Sequence, residues 1–307
     1  MSDLLCSVII CTHNPRRDYL NRVLDGINKQ TMPRNSFELI LIDNLSAPET
    51  LKGIDLSWHP AHKIVVEKEL GLTAARLRGF METSSDIIVF CDDDNVLDKD
   101  YLGKAVEIAE NYPFLGAWGG SCEGEYESPL PKWARNGFFR SIGVRRIEKI
   151  CWSNLLNHCC PVGAGMVLRR AVANAYIDKI ETSQIRKKLG RQGASLMSGE
   201  DIDLVNTSCE IGLGTGLFPS LTLKHLIPRE RLTIEYYEKL AEGIATSMTI
   251  LRCIQGEKVN TKQYSSIFCK LKDGVKELYL RSRISSEDFR IYKARKRGER
   301  KALAFFE

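Results

Sequence analysis

The sequence predicts an α/β protein, with a mostly parallel sheet covered by helices on both faces and a C-terminal helical region after it. Three observations carry this. Short apolar runs that end in polar residues alternate with stretches whose apolar residues recur at helical spacing. Alternation of that kind builds strand–helix–strand units, which give parallel sheets buried on both sides. Beyond Pro228 the pattern turns helical and stays so up to a basic end.

Taken in order, Cys6–Thr12 (CSVIICT) reads as a buried strand, and the next stretch sets Tyr19, Leu20, Val23, Leu24 and Ile27 on one helical face. Phe37–Asp43 (FELILID) and Lys63–Glu67 (KIVVE) read as the second and third strands. A helix through Leu72–Thr83 leads to a fourth, Asp86–Cys91 (DIIVFC). Residues 122–160 mix aromatic, basic and turn residues with little periodicity, which suits a loop or insertion over a site. PVGAGMVLRR, from Pro161, resumes sheet character. A helix opened by Ser198 and Gly199 follows, then a last strand in GLFPSLTLKH, which ends at His225. Helices are expected over 233–254 and near 262–281.

At 307 residues and 43% hydrophobic content, the chain can bury a core large enough for one α/β domain with an appendage, or for two domains. Ten cysteines at scattered spacings, no C-x-x-C pair and no basic-then-apolar N-terminal stretch lead to an expectation of a cytoplasmic protein with reduced thiols. No apolar run approaches a membrane span. Between Arg281 and Glu307 nine Lys/Arg stand against four Asp/Glu, an excess equal to the whole chain's formal net charge of +5. With apolar Leu303, Phe305 and Phe306, this end suits either a segment held peripherally on the inner face of an anionic membrane or a solvated helix end. Nucleic acid is not expected as a partner.

Ligands of open α/β sheets collect at the carboxyl ends of the strands. Those ends carry Thr12, His13 and Asn14; Asp43 and Asn44; and the consecutive Asp92, Asp93 and Asp94. Adjacent carboxylates repel, and they tolerate one another best when solvated or when a cation lies among them. Glu200 and Asp201 fall in the first turn of their helix, where the dipole also favours acidic residues.

Five segments, SVIICTHNP, LILIDNLS, GLTAARLRGF, IIVFCDDDN and GEDIDL, in this order resemble the inverting family-2 glycosyltransferases with a GT-A fold, over roughly Leu5 to Arg231. The resemblance implies transfer of a sugar from a nucleotide-sugar donor, a UDP-sugar first, to a hydroxyl of a glycan or lipid-linked acceptor, with Mg²⁺ or Mn²⁺ as cofactor. It implies that Asp94 ligates the metal, that Asp92 completes the D-x-D pattern, and that Asp92 or Asp93 reaches the donor ribose. Thr12, His13, Asn14 and Asp43 would hold the base and Arg76 the diphosphate. Asp43-Asn44-Leu45-Ser46 departs from the family's usual Asp-Asp-Gly-Ser, so base identity stays open. Asp201 matches the catalytic base and Glu200 its neighbour, with Asp203 as a second candidate. His225 is either a further metal or phosphate contact or a structural histidine. The chemistry agrees with these roles: a leaving diphosphate gathers negative charge that needs a counterion, and an acceptor hydroxyl is a poor nucleophile until a carboxylate takes its proton.

Residues 1–231 are thus expected to form the GT-A catalytic domain, with 122–160 as an acceptor-side loop, and 232–307 the C-terminal helices. Two other classes stand beside this reading, a non-catalytic scaffold of GT-A shape and a sugar nucleotidylyltransferase, the latter suggested by GLGTGLFPSLT. Trp133, Phe138 and Trp152 either stack on acceptor rings or fill the core. Cys151, His158, Cys159 and Cys160 lack the C-x-x-C spacing of a zinc site.

Overall fold

The computed structural model describes residues 4–257 and 267–306. Among these, nine strands form one sheet: β1 Cys6–Thr12, β2 Phe37–Asp43, β3 His62–Val66, β4 Ile87–Phe90, β5 Asn95–Leu97, β6 Leu115–Tyr126, β7 Cys151–Ser153, β8 Val167–Arg169 and β9 Gly214–Ile227. The helices are α1 Arg17–Asn28, α2 Pro48–Leu51, α3 Leu72–Glu82, α4 Tyr101–Asn111, α5 Asn136–Ser141, α6 Arg170–Glu181, α7 Gln184–Lys187, α8 Glu200–Glu210, α9 Ile234–Ile254, α10 Ile267–Arg281 and α11 Ser286–Leu303. The strand order is β3-β2-β1-β4-β8-β6-β9-β5, with β7 alongside β9. Strands β3, β2, β1 and β4 run parallel, as expected of strands joined through helices, and β8 enters antiparallel between β4 and β6.

The unbroken apolar runs of β1 and β2 follow from burial on both faces. Cys6, Val8 and Ile10 pack against Leu20, Val23, Leu24 and Ile27 of α1 and against Leu102, Ala105 and Ile108 of α4. Ile9 and Cys11, on the opposite face, meet Ala75 and Phe80 of α3, Val172 and Tyr176 of α6, and Leu204 and Val205 of α8. At about 25 cal/mol per Å² of apolar surface removed from water, each fully buried Leu or Ile contributes about 2 kcal/mol before the entropy of ordering it. All the strand ends that matter to the site are set by this double layer.

The stretch expected as a loop over 122–160 is partly sheet. β6 continues to Tyr126 in parallel with β9 as far as the Tyr126–Ile227 pair, and β7 pairs antiparallel with β9. Gly119, Gly120 and Gly124 interrupt any apolar alternation in β6, so its period is hidden in the sequence.

The C-terminal helices are fastened to the rest of the chain. α11 lies so close to α9 that a Cβ at Gly298 would fall 2.2 Å from the Glu242 carbonyl oxygen, and one at Gly243 would fall 2.3 Å from that of Leu196. Ser247 of α9 accepts the Ser198 N–H at 3.0 Å, just ahead of α8. The basic end is therefore a packed helix. Leu303 is buried beside Ala302, while Arg290 pairs with Glu235 and Glu238, and Arg297 with Glu242. Of the apolar residues expected to meet lipid, Leu303 is turned inward and Phe306 is exposed. Among the described residues no helix is long and apolar enough to cross a membrane.

His59 is fully buried, its ring 4.5 Å from that of Phe37, and its Nε2 has no partner. Burial pushes its pKa down to about 4. The unfolded chain, with a histidine near 6.5, then binds more protons than the folded one, so stability present above about pH 6.5 is lost as pH falls towards 4. His59→Phe should flatten that decline by on the order of 3 kcal/mol. Urea denaturation at pH 7 and pH 4.5 checks it; parallel losses in the two proteins would show that His59 does not titrate in this way.

Candidate active site

One side chain joins the loops at the carboxyl ends of β2 and β3. Asn44 is buried; its amide donates to the Glu67 and Glu69 carbonyl oxygens at 3.3 and 2.7 Å, and its Oδ1 accepts the Gly71 N–H at 2.7 Å. A carboxylate could not donate to those carbonyls, which gives a physical reason for Asn after Asp43. Asn14 takes a left-handed φ of 51° and accepts from Ala47 N–H, while Ser46 Oγ accepts from Asn14 N–H. His13 Nδ1 lies 2.7 Å from the Asn44 carbonyl oxygen. Asp43 accepts the Ser46 N–H at 2.9 Å. Thr12, His13, Asn14 and Asp43 thus share one rim.

The three aspartates have three different partners. Thr12 donates its hydroxyl proton to Asp93, whose pKa is pushed up to about 7 by burial and by the charge of Asp94. Asp92, half-exposed, lies 3.7 Å from Arg76. Burial opposes ionising Asp94, yet adjacent His225 and Arg231 outweigh it and hold the carboxyl well below the usual range. The cause is register: antiparallel pairing of β5 with β9 sets Asn95 opposite His225, bringing His225 Nε2 within 3.4 Å of Asp94 Oδ2. Asn95 donates to Asp94 Oδ1 at 2.9 Å, and Leu226 N–H to the Asp94 carbonyl oxygen.

Two arginines here escaped the sequence reading. Arg231, on the 3-10 turn Arg229–Leu232, reaches Asp94 Oδ2 at 2.9 Å and His225 Nε2 at 3.2 Å. Arg191 is near enough to favour ionised Asp92 and Asp94. The signal for Arg231 was its place six residues past His225, in a basic turn directly after the last strand.

Opposite the rim, Gly199 caps α8 and places Glu200, Asp201 and Asp203 in its first turn. Glu200 is buried and paired with Arg76 at 2.7 Å; burial pushes its pKa up to about 7. Asp201 is half-exposed and accepts the Ile202 N–H at 2.9 Å and the Gly163 N–H at 3.3 Å. Asp203 is 1% exposed and held by Arg186 and Lys179, so it is a structural ion-pair partner and sets aside its candidacy as the base. Arg76 is itself 2% exposed, with its guanidinium 4.6 Å from the Phe90 ring centre and both its ion-pair partners, Glu200 and Asp92, supplied by the protein. It ties the acidic rim to the start of α8.

As a cation site, the rim supplies Asp94 Oδ2 and His225 Nε2 close together, with Asp92 nearby; among the described residues no three His, Cys, Asp or Glu side chains converge on one point. One or two protein ligands suit Mg²⁺ or Mn²⁺ when substrate phosphates fill the remaining positions, so the residues fit such an ion. Of the aromatic residues weighed for acceptor stacking, Phe138 is core, packed with Trp133 and Tyr237, and Trp152 is exposed against Phe114.

The model of glycosyl transferase family 2 matches residues 7–175. The chain belongs to this family. Relatives include the glycosyltransferase YwdF of Bacillus subtilis, 32% identical over 112 residues that make up 36% of this chain and 40% of that protein. Dolichol-phosphate mannosyltransferase of Pyrococcus furiosus is 34% identical over 107 residues, 34% of this chain and 30% of that protein. These matches span less than half of the relatives' own lengths. The crystal structure of Staphylococcus aureus TarS 1–349 in complex with UDP-GlcNAc superposes with a TM-score of 0.51 at 17% identity, over 80% of this chain and 66% of that one. The shared fold is GT-A. Within this family-2 chain, Glu200, Asp201, His225 and Arg231 all lie beyond the matched segment.

Removing Arg76 should leave Glu200 buried and unpaired. Arg76→Met is expected to cost about 3–5 kcal/mol in urea denaturation, and adding Glu200→Gln should return part of it by removing the stranded charge. Additive losses in the double variant would show that the two side chains do not act as a pair.

Proposed function

We propose that the protein transfers a sugar from a nucleoside-diphosphate donor to an acceptor hydroxyl with inversion at the anomeric carbon. The observation that carries this is the placement of Asp201: it is the accessible carboxylate at the start of α8, and Arg76 links its neighbour Glu200 directly to the Asp92–Asp94 rim. In this reading the acceptor hydroxyl gives its proton to Asp201 while its oxygen attacks the anomeric carbon. The bond from that carbon to the phosphate oxygen breaks, and the diphosphate leaves with the electron pair. Attack from the face opposite the leaving group inverts the centre. Glu200 acts through Arg76 as a positioning residue, keeping the first turn of α8 in register with the rim.

On the donor side, Thr12, His13, Asn14 and Asp43 would line the base, and Asp92 or Asp93 the ribose. Asp43 keeps one carboxylate oxygen beyond its bond to Ser46 N–H, enough to accept from a uracil imide. The TarS complex contains UDP-GlcNAc, so UDP-sugars are the first donors to test. Asp94 and His225 would hold Mg²⁺ or Mn²⁺, whose bound charge offsets the negative charge that grows on the leaving diphosphate. A glycan or lipid-linked hydroxyl is the acceptor class that this chemistry takes.

Asp201→Asn should keep donor affinity, measured by calorimetry with UDP-sugars and Mn²⁺, and lose about 10²- to 10⁴-fold in transfer, because it removes proton abstraction with little change of shape. A variant as active as the parent would take the base role from Asp201. Asp94→Ala should instead abolish the dependence of donor binding on divalent cation, and donor affinity indifferent to EDTA in the parent protein would remove the cation from this account.

A further inference from the structure

One guanidinium nitrogen contacts both atoms assigned to the cation. Arg231 Nη1 lies 2.9 Å from Asp94 Oδ2 and 3.2 Å from His225 Nε2, and those two atoms are 3.4 Å apart. A divalent ion held by the same pair would meet a positive charge at contact distance, and at such separations like charges repel by several kcal/mol even under strong protein screening. Both cannot be held there together. We infer that Arg231 is a resident counter-charge that Asp94 surrenders on binding the cation, so that nucleotide and cation bind cooperatively through this one side chain.

Which of the two partners moves is decided by how they are anchored. Asp94 is locked by Asn95 at Oδ1 and by Leu226 N–H at its carbonyl oxygen, and it is 8% exposed. Arg231 projects from a four-residue 3-10 turn, and its side chain is 23% exposed. It can leave Asp94 without disturbing the sheet. A cavity of about 670 Å³, lined by Arg16, Glu127, Ser128, Arg229 and Glu230, flanks the same turn. The displaced guanidinium keeps its forked N–H donors, which match phosphate oxygens, so a diphosphate entering beside Asp94 offers it a replacement partner. Nucleotide binding then frees the carboxylate for the cation, and cation binding frees the arginine for the nucleotide; such coupling is reciprocal.

The inference rests on the reading of Asp94 and His225 as cation ligands. It is tested by Mn²⁺ titration followed through the electron paramagnetic resonance signal of the free ion, with and without UDP, on the parent chain, Arg231→Gln and Arg231→Lys, each checked for native folding by circular dichroism. The parent should bind Mn²⁺ weakly alone and about tenfold tighter with UDP, a typical size for coupling between two ligands. Arg231→Gln should bind Mn²⁺ alone about tenfold tighter than the parent and lose most of the UDP enhancement, while Arg231→Lys should stay close to the parent. If Arg231→Gln binds Mn²⁺ no more tightly than the parent although both bind it, Arg231 is not a competitor and the inference alone falls. If no protein binds Mn²⁺ even with UDP, the cation assignment fails and takes the inference with it.

Discussion

The arrangement depends on one buried cation. Arg76 carries its charge at 2% exposure, resting on the Phe90 ring and joined to Glu200 and Asp92. Without partners such a group would be prohibitively costly to desolvate, so its position dictates that two carboxylates from distant parts of the chain come to it. Arg76 belongs to α3, Asp92 follows β4, and Glu200 opens α8, so the pair closes a loop of 124 residues. The strand ends supply a rim and α8 supplies a carboxylate; Arg76 makes them one site.

The rim itself shows how three like charges are kept apart in chemistry while adjacent in sequence. Asp93 is turned to Thr12 and drawn towards the protonated form, Asp94 is kept ionised by His225 and Arg231, and Asp92 leans towards Arg76. Each environment comes from a different part of the chain, and that of Asp94 exists only once β9 has paired with β5.

Much of this was legible beforehand because it is written locally. β1 and β2 announce themselves as runs buried on both faces, the acidic triplet follows β4 directly, and Glu200 and Asp201 sit after a small-residue helix start. What was hidden depends on partners far away in sequence. Nothing near Asn44 tells that its amide will hold the backbone of the loop after β3. The glycines of β6 erase its period, and the apolar residues of the last helix look the same whether they will meet lipid or, as Leu303 does, the protein's own interior. Arg231 reads as one more residue of a basic turn until Asp94 is placed opposite it. Asp203, by contrast, stood as the second candidate after Asp201 by sequence; two residues along a helix turn a side chain by about 200°, and that rotation delivers it to Arg186 and Lys179.

The close crossing of α9 and α11 has a mechanical meaning. Gly298 brings α11 onto the backbone of Glu242, the next residue, Gly243, brings α9 onto Leu196, and Ser247 holds Ser198 immediately before Glu200 and Asp201. Backbone meets backbone at the two glycine joints, and at the third a short serine side chain meets a backbone N–H. The last helix is thus the long arm of a lever whose short arm is the first turn of α8. A displacement of α11 therefore has a stiff route to the first turn of α8, where the half-exposed Asp201 stands.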